Sequence, residues 1–337
     1  MTGLVRSASL TNFAEVARRV GLDPHRLVSE FGLPQRCLRE PELKVPLDAV
    51  RRLLETSAER SGVEGFGLLM AETRRLSNLG PLGLLVREQP TLRHAVEALA
   101  RYANRLNEAL FLTIEDAGEV TVLREELIVG KSGPVRQSTE LAIGVAFRVL
   151  QSLLGAGWKP LRVCFAHDAP ADRSVHDRVF GRIVEFGHDF NGIVCRRSDL
   201  EAPNPNADPM MARYAQGLVE ADYAEKPGGT AAEVRRLIVT LLGTGNCTID
   251  RVAQQTGVNR RTLHRHLTQE GKTFSELVDE VRRELAARYV GIDKHRTLAE
   301  ISSLLGFSAP SGFARWYRRQ FGEPASNRRA AHPKRAR

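Results

Sequence analysis

Apolar residues recur every three or four positions along most of the chain and every second position over a short middle stretch. The helical period is clear in PLDAVRRLLETSAERSG (46–62), TLRHAVEALARYANRLNEAL (91–110) and STELAIGVAFRVLQSLLGAG (138–157). LTNFAEVARRVGLDPHRLVSEFG (10–32) predicts two short helices joined at Gly21-Leu22-Asp23-Pro24. FLTIED and EVTVLREEL alternate on either side of Ala117-Gly118 and predict a β-hairpin. LRVCFAH (161–167) predicts a buried strand, and RIVEFGHDFNGIVC (182–195) a pair of strands around a turn. MMARYAQGLVEADYAE (210–225) returns to the helical period. Helices laid on an antiparallel sheet make an α+β fold for this part.

A break follows at Lys226-Pro227-Gly228-Gly229-Thr230, since proline and two glycines stop a helix and loosen the chain. Beyond it AAEVRRLIVTLL places Val234, Leu237, Ile238 and Leu241 on one face, and no strand pattern occurs in the last 107 residues. The expected organisation is an α+β domain over 1–225, a linker over 226–230, an all-α domain over 231–330 and a basic tail over 331–337. Charge divides at the same place. Residues 231–337 hold 20 Lys and Arg against 10 Asp and Glu, whereas residues 1–230 hold 29 against 30. One domain is therefore built to meet a polyanion and the other is not. No helix with a strongly apolar face accompanies the charge, so nucleic acid explains it better than a membrane surface. No apolar run reaches transmembrane length, and no leader pattern opens the chain. Cys37, Cys164, Cys195 and Cys247 stand apart without a CxxC pair, which argues against a zinc or disulfide framework and fits a cytoplasmic setting.

The excess charge is concentrated in two stretches of similar plan. TIDRVAQQTGVNRRTLHRHLTQEG predicts helix, turn, helix: Thr248 or Asp250 caps the first helix, Ile249, Val252 and Ala253 face inward, and Gly257 makes the turn. Asn259 suits the N-cap of the second helix, Leu263 and Leu267 pack it inward, and Arg261, His264 and Arg265 project outward with Arg260 beside them. LAEISSLLGFSAPSGFARWYRRQFG repeats the plan with Leu298, Ile301 and Leu304 or Leu305 inside, a turn at Gly306 and Pro310 in the first turn of the next helix. There Phe313, Trp316 and Tyr317 fill the inner side while Ser311, Ala314, Arg315 and Arg318 face out. Outward donors of this kind suit phosphates or the N7 and O6 edge of guanine. Between the motifs FSELVDEVRRELAARYV, with Phe274, Leu277, Val281 and Leu285 in register, predicts a long connector able to hold two reading helices about one DNA turn, roughly 34 Å, apart.

Residues 249–324 resemble the double helix-turn-helix domain of AraC/XylS-type transcription regulators, above all in the order I-x3-LGF-x5-F-x-R-x2-RRQFG-x-P. The resemblance implies that each second helix enters a major groove, with base contacts from Arg261, His264 and Arg265 in one motif and Ser311, Ala314 and Arg315 in the other. Pro310 and Ala314 offer no side-chain hydrogen bonds, so the second motif would lean on Arg315 and on phosphate contacts. VRSASLTNFAEVARRVGLDP, LGPLGLLVREQPTLRHAVEALARY and PLRVCFAHDAPADRSVHDRVFG resemble the arabinose-binding-type effector domain of a subgroup of the same family. That resemblance implies a regulator whose partners are double-stranded DNA, a small-molecule effector, a second copy of the chain as a homodimer, and RNA polymerase.

Other chemistry fares less well. HDAPADRSVHD gathers His167, Asp168, Asp172, His176 and Asp177, but reads as a strand end turning into a helix capped by Asp172, with His176 and Asp177 pointing apart. His264 and His266, two apart on a helix, face different ways, and no metal site is expected. Residues 13–32 imitate a helix-turn-helix without a surrounding positive field. GxSxG, P-loop and GxGxxG motifs are absent and LGPLG (79–83) reads as a turn, so neither an enzyme nor a cofactor is expected. Tyr102, Phe147, Trp158 and His167 are the candidate pocket residues. Two rivals stay open: an enzyme domain fused to a DNA-binding module, and a regulator controlled without a small molecule.

Overall fold

The computed structural model describes residues 3–127, 133–224, 229–242, 247–256, 258–291 and 296–330, and the chain divides into two compact units, Met1–Glu225 and Lys226–Arg337. Residues 226–228 of the expected linker, the expected turn at Gly257 and the 331–337 tail lie outside the described residues.

In the first unit β1 (Leu4–Arg6) and β2 (Lys44–Pro46) pair antiparallel, with α1 (Phe13–Arg19) and α2 (Pro24–Glu30) between them in sequence. Asp23 caps α2 by accepting from the His25 and Arg26 amides, which explains why the chain restarts a helix at Pro24. Next come α3 (Leu47–Ser61), α4 (Phe66–Ala71), α5 (Pro81–Arg87) and α6 (Leu92–Leu106). The expected hairpin is β3 (Leu110–Ala117) and β4 (Val120–Leu127), and α7 (Arg136–Leu154) follows it. Then β5 (Arg162–Phe165), α8 (Ser174–Phe180), β6 (Val184–Phe186), β7 (Asn191–Arg196), α9 (Arg197–Glu201) and α10 (Pro209–Ala224) complete the unit.

The sheet runs β3-β4-β7-β5-β6. The sequence pattern anticipated two neighbouring strands within 182–195, but β6 and β7 are not paired with each other. β5 lies between them, antiparallel to β7 and parallel to β6, so the sheet is mixed rather than antiparallel throughout. Helix α8 supplies the crossover that a parallel pair requires. Helix α7 packs on β4 and β7 on one side and against α3 and α4 on the other, and buries Leu141, Ile143, Phe147, Val149 and Leu150. The α+β expectation therefore holds, with one parallel pair added.

The second unit is helical throughout its described residues: α11 (Thr230–Leu242), α12 (Ile249–Gln255), α13 (Arg260–Gln269), α14 (Phe274–Gly291), α15 (Leu298–Leu304), α16 (Pro310–Phe321) and α17 (Ala325–Ala330). Helix α11 begins at Thr230, the last residue of the expected linker, because the Glu270 carboxylate accepts from the Thr230 and Ala231 amides at 2.5 and 3.0 Å. An acidic group satisfying free amides at a helix start is favourable on both hydrogen-bond and dipole grounds. No helix among the described residues is long and apolar enough to cross a membrane.

Candidate DNA interface and effector cavity

In the first motif Thr248 caps α12 through the Arg251 amide at 3.2 Å, and Asn259 caps α13 through the Thr262 amide at 2.8 Å. Val252, Ala253, Leu263 and Leu267 are buried between the two helices. That inner stripe turns Asn259, Arg260, Arg261, His264 and Arg265 outward, and all five are exposed. Arg260 is partly engaged by Asp250 at 3.4 Å, while His266 is half-buried.

The second motif is built differently. Thr297 and Glu300 form a reciprocal capping box at the start of α15, and Gly306 turns the chain at φ +69°. Leu305, rather than Leu304, is the fully buried leucine. Pro310 opens α16, whose N-cap position is Ala309 and gives no side-chain cap. Its inner face is aromatic: Phe313 lies edge-on to Tyr317 at 5.6 Å between centroids, and Tyr317 stacks on Phe321 at 4.3 Å. Trp316 donates its indole N–H to Asp279 of α14 at 2.9 Å, and Arg282 of α14 donates to the Leu305 and Gly306 carbonyls while lying over the Phe307 ring. Ser311, Ala314, Arg315 and Arg318 are exposed on the opposite face.

Cations on the inner surfaces of this unit are spent: Arg235 on Glu284, Lys272 on Glu280 at 2.6 Å, and Arg282 on two carbonyls. Among the described residues Arg261, Arg265, Arg315 and Arg318 have no carboxylate partner. Four exposed guanidinium groups without counter-charges on paired helices form a surface that lowers its energy by meeting phosphate and base edges.

The first unit contains a half-open cavity of about 150 Å³. Its walls come from far apart in sequence: Leu47, Val50 and Leu54 of α3, Leu99 and Leu106 of α6, Leu110 and Leu112 of β3, and Leu141, Val145 and Val149 of α7. At one corner Arg6, Ser9, Arg74 and Asn78 interrupt this apolar lining. Arg6 is held by Glu42. Arg74 is only 6% exposed, donates to the Ala8 and Ser9 carbonyls at 2.5 and 2.6 Å, and has no acidic partner among the described residues. Burial alone pushes its guanidinium down to about 10. The Arg74 Nε and the Ser9 Oγ are buried without a hydrogen-bond partner. Nothing local marks Arg74 in the sequence, because its partners lie 65 and 66 positions away.

The four residues singled out from sequence lie elsewhere. Tyr102 is buried on α6, one position from the cavity-lining Ala103. Phe147 and Trp158 face each other at 6.3 Å, and Trp158 donates to Asp199 at 3.1 Å. His167 belongs to a polar knot: its Nε2 and that of His176 lie 3.3 and 3.1 Å from one oxygen of Glu140, which also accepts from Arg136 at 2.9 Å. None of the four lines the cavity. HDAPADRSVHD does turn from a strand end into a helix, but His167 and His176 converge within it on a carboxylate from α7, which the sequence pattern does not encode. Burial lowers the His167 pKa, with Glu140 opposing. Asp172 sits just before α8 and accepts from the Ser174 amide at 2.8 Å, one residue ahead of the N-cap position.

Two further groups bear on chemistry. Cys164, Glu185 and His188 bring one ligand atom each within 4.8 Å of one another, but burial pushes the Cys164 thiol up to about 12, and Asp189 takes the His188 Nδ1 at 2.5 Å. Cys195 is pushed equally high and, like Cys37 and Cys164, is buried in the core, so these thiols stay protonated and unreactive.

Comparison with known proteins agrees with this division. The family described as the arabinose-binding domain of AraC transcription regulators matches residues 21–204, and a helix-turn-helix domain family matches residues 252–331. The HTH-type transcriptional regulator VirS of Mycobacterium tuberculosis is 30% identical over 322 residues, spanning 95% of this chain and 94% of its own length. The ornithine utilization regulator of Pseudomonas aeruginosa is 27% identical over 324 residues, spanning 90% of this chain and 93% of its own. The crystal structure of the transcriptional regulator CdpR from Pseudomonas aeruginosa aligns with 90% of this chain and 97% of its own at 21% identity, with a TM-score of 0.41.

Proposed function

The chain belongs to the AraC family of DNA-binding transcription regulators, and we propose that α13 and α16 read two successive major grooves under the control of a small molecule held in the first unit. The observation that carries the DNA reading is the set of exposed, unpartnered guanidinium groups of Arg261, Arg265, Arg315 and Arg318 on the outer faces of the two second helices. Helix α14, 18 residues and so about 27 Å long, holds the second motif directly through Trp316–Asp279 and the first by way of α11, to which Arg235–Glu284 ties it and which packs on α12 and α13. In this reading Arg261, His264 and Arg265 discriminate bases, with Asn259 and Arg260 at the helix start. Arg315, supported by Ser311 and Ala314, adds a second base contact, and Arg318 neutralises phosphate.

The cavity supports effector control, because a ligand gates DNA binding by favouring one of two states. Self-association is supported by α10, whose Met210, Met211, Tyr214 and Leu218 are the large apolar side chains left exposed among the described residues, at 75, 40, 64 and 38%. A homodimer joined there would present paired DNA-binding units. Contact with RNA polymerase belongs to the same reading.

The test is selection of the full chain on random duplex DNA, followed by fluorescence anisotropy on the enriched sequence. Enriched sites should contain two short blocks about 10 base pairs apart. Affinity should fall steeply with salt. Equal binding to all duplexes would overturn the assignment of base readout to these helices.

A further inference from the structure

The cavity of the first unit combines two features that rarely occur together. Its walls are mostly leucine, valine and alanine side chains, with Asn107 and Ser138 as further polar residues, and a guanidinium without an acidic partner among the described residues also lines it. A buried cation is ordinarily balanced by a carboxylate, because an uncompensated charge in an apolar setting costs several kcal/mol. Here Glu42 balances Arg6 and no described residue balances Arg74, whose contacts are two backbone carbonyls. Ser9 adds a buried hydroxyl without a partner beside it. We infer that the effector is an apolar monocarboxylate, its carboxylate on Arg74 and Ser9 and its tail among Leu54, Leu99, Leu141 and Val145. This rests on the cavity being the effector site.

Size narrows the class. An apolar cavity near 150 Å³ accommodates about one benzene ring. The part of the tail held inside is therefore a single ring or a chain of about six carbons. A sugar fits poorly, because each of its hydroxyls needs a partner and, beyond Arg6, Ser9, Arg74 and Asn78, only Asn107 and Ser138 among the lining residues offer polar side chains. An alkylammonium would set a second cation beside Arg74. A dicarboxylate would bury a second charge among leucines. Guanidinium and carboxylate match as planar, charge-assisted partners, and such pairs are strongest where water is excluded.

Calorimetric titration of the full chain with hexanoate, benzoate, hexan-1-ol, hexylamine and arabinose tests the assignment. Hexanoate or benzoate should saturate one site per chain, and the stronger of the two distinguishes a chain from a ring. Hexan-1-ol should bind at least about tenfold more weakly, since it lacks the ion pair. Hexylamine and arabinose should give no binding. Equal affinity for the alcohol or the amine, or saturable binding of arabinose in the same cavity, overturns the inference.

Arg74→Gln should remove the preference of hexanoate over hexan-1-ol. Because Arg74 also ties the Ser7–Leu10 turn to the rest of the unit, a second variant leaves it intact: Ala146→Phe fills the tail space and should abolish hexanoate binding. Unchanged hexanoate binding in a folded Ala146→Phe protein overturns the assignment. Anisotropy on duplex DNA with and without hexanoate separates this inference from the one beneath it. Binding that depends on Arg74 but leaves DNA affinity unchanged sustains the ligand class and removes effector control. Control of DNA affinity by a ligand indifferent to Arg74 and Ala146 sustains effector control and removes the ligand class.

Discussion

The two helix-turn-helix motifs share a plan and differ in where each is strong. The first is held by small aliphatic contacts around Leu263 and Leu267, is capped by Asn259 and carries a dense outer face of Arg260, Arg261, His264 and Arg265. The second is held by the Phe313, Trp316, Tyr317 and Phe321 cluster and by bonds to α14, yet its reading helix has no side-chain N-cap and carries fewer donors. A recognition helix must be both oriented and chemically equipped. The difference teaches that a paired reader can divide these tasks unequally, one motif supplying contacts and the other a fixed frame.

The largest effect that would break this comparison lies in the aromatic frame. Phe313→Ala should cost about 3–5 kcal/mol of stability, more than Leu263→Ala at the same site in the first motif. Chemical denaturation followed by near-ultraviolet circular dichroism ranks the two, and the reverse order would refute the unequal division. Next, Arg265→Ala should relax base preference at one position and weaken specific binding by about 1–3 kcal/mol. Arg318→Ala should instead weaken all sequences alike and reduce the salt slope by about one. If both variants behave as phosphate anchors, the first motif is not the discriminating one.

Smaller effects sharpen the picture. The Tyr317 hydroxyl is buried without a partner, so Tyr317→Phe should stabilise the unit by about 1 kcal/mol, seen as a raised denaturation midpoint. Loss of stability would instead reveal a hydrogen bond made by that hydroxyl. Capping gives the smallest contrast. Asn259→Ala should cost about 1 kcal/mol, whereas Ala309→Ser should gain a similar or smaller amount by supplying the missing acceptor. Equal and negligible changes at both positions would show that caps do not separate the motifs.

Much of the second unit was legible in the sequence because its signals are local. Periodicity, caps and turns fall within a few residues of one another, so Thr248, Asn259, Leu263, Gly306 and Pro310 take the positions their chemistry predicts. In the first unit the hairpin and most helices were legible for the same reason, but the short α4, α5 and α9 were not, and α5 starts at Pro81 inside the LGPLG stretch that reads as a turn. Strand order was not: β6 and β7 flank one turn in sequence, yet β5 enters between them through pairings that no local pattern encodes. The cavity was less legible still. Its lining runs from Val5 to Val149, and the properties that matter at Arg74 are the absence of an acid and the closeness of carbonyls far away in sequence. Aromatic and histidine residues drew attention to Phe147, Trp158 and His167, whose rings are spent on one another and on Asp199 and Glu140.

Glu270, which follows the first reading helix and closes its carboxylate over the Thr230 and Ala231 amides, also fixes where the chain can be cut. A fragment starting at residue 231 would retain every helix of the DNA-binding unit except the first residue of α11, yet would replace the Ala231 amide with a charged terminus and delete the Thr230 donor. Gly229 adds a constraint of size, since a side chain there would press into the same carboxylate. The separable piece thus starts at or before Gly229, and the second glycine of the joint belongs by its contacts to the part that binds DNA.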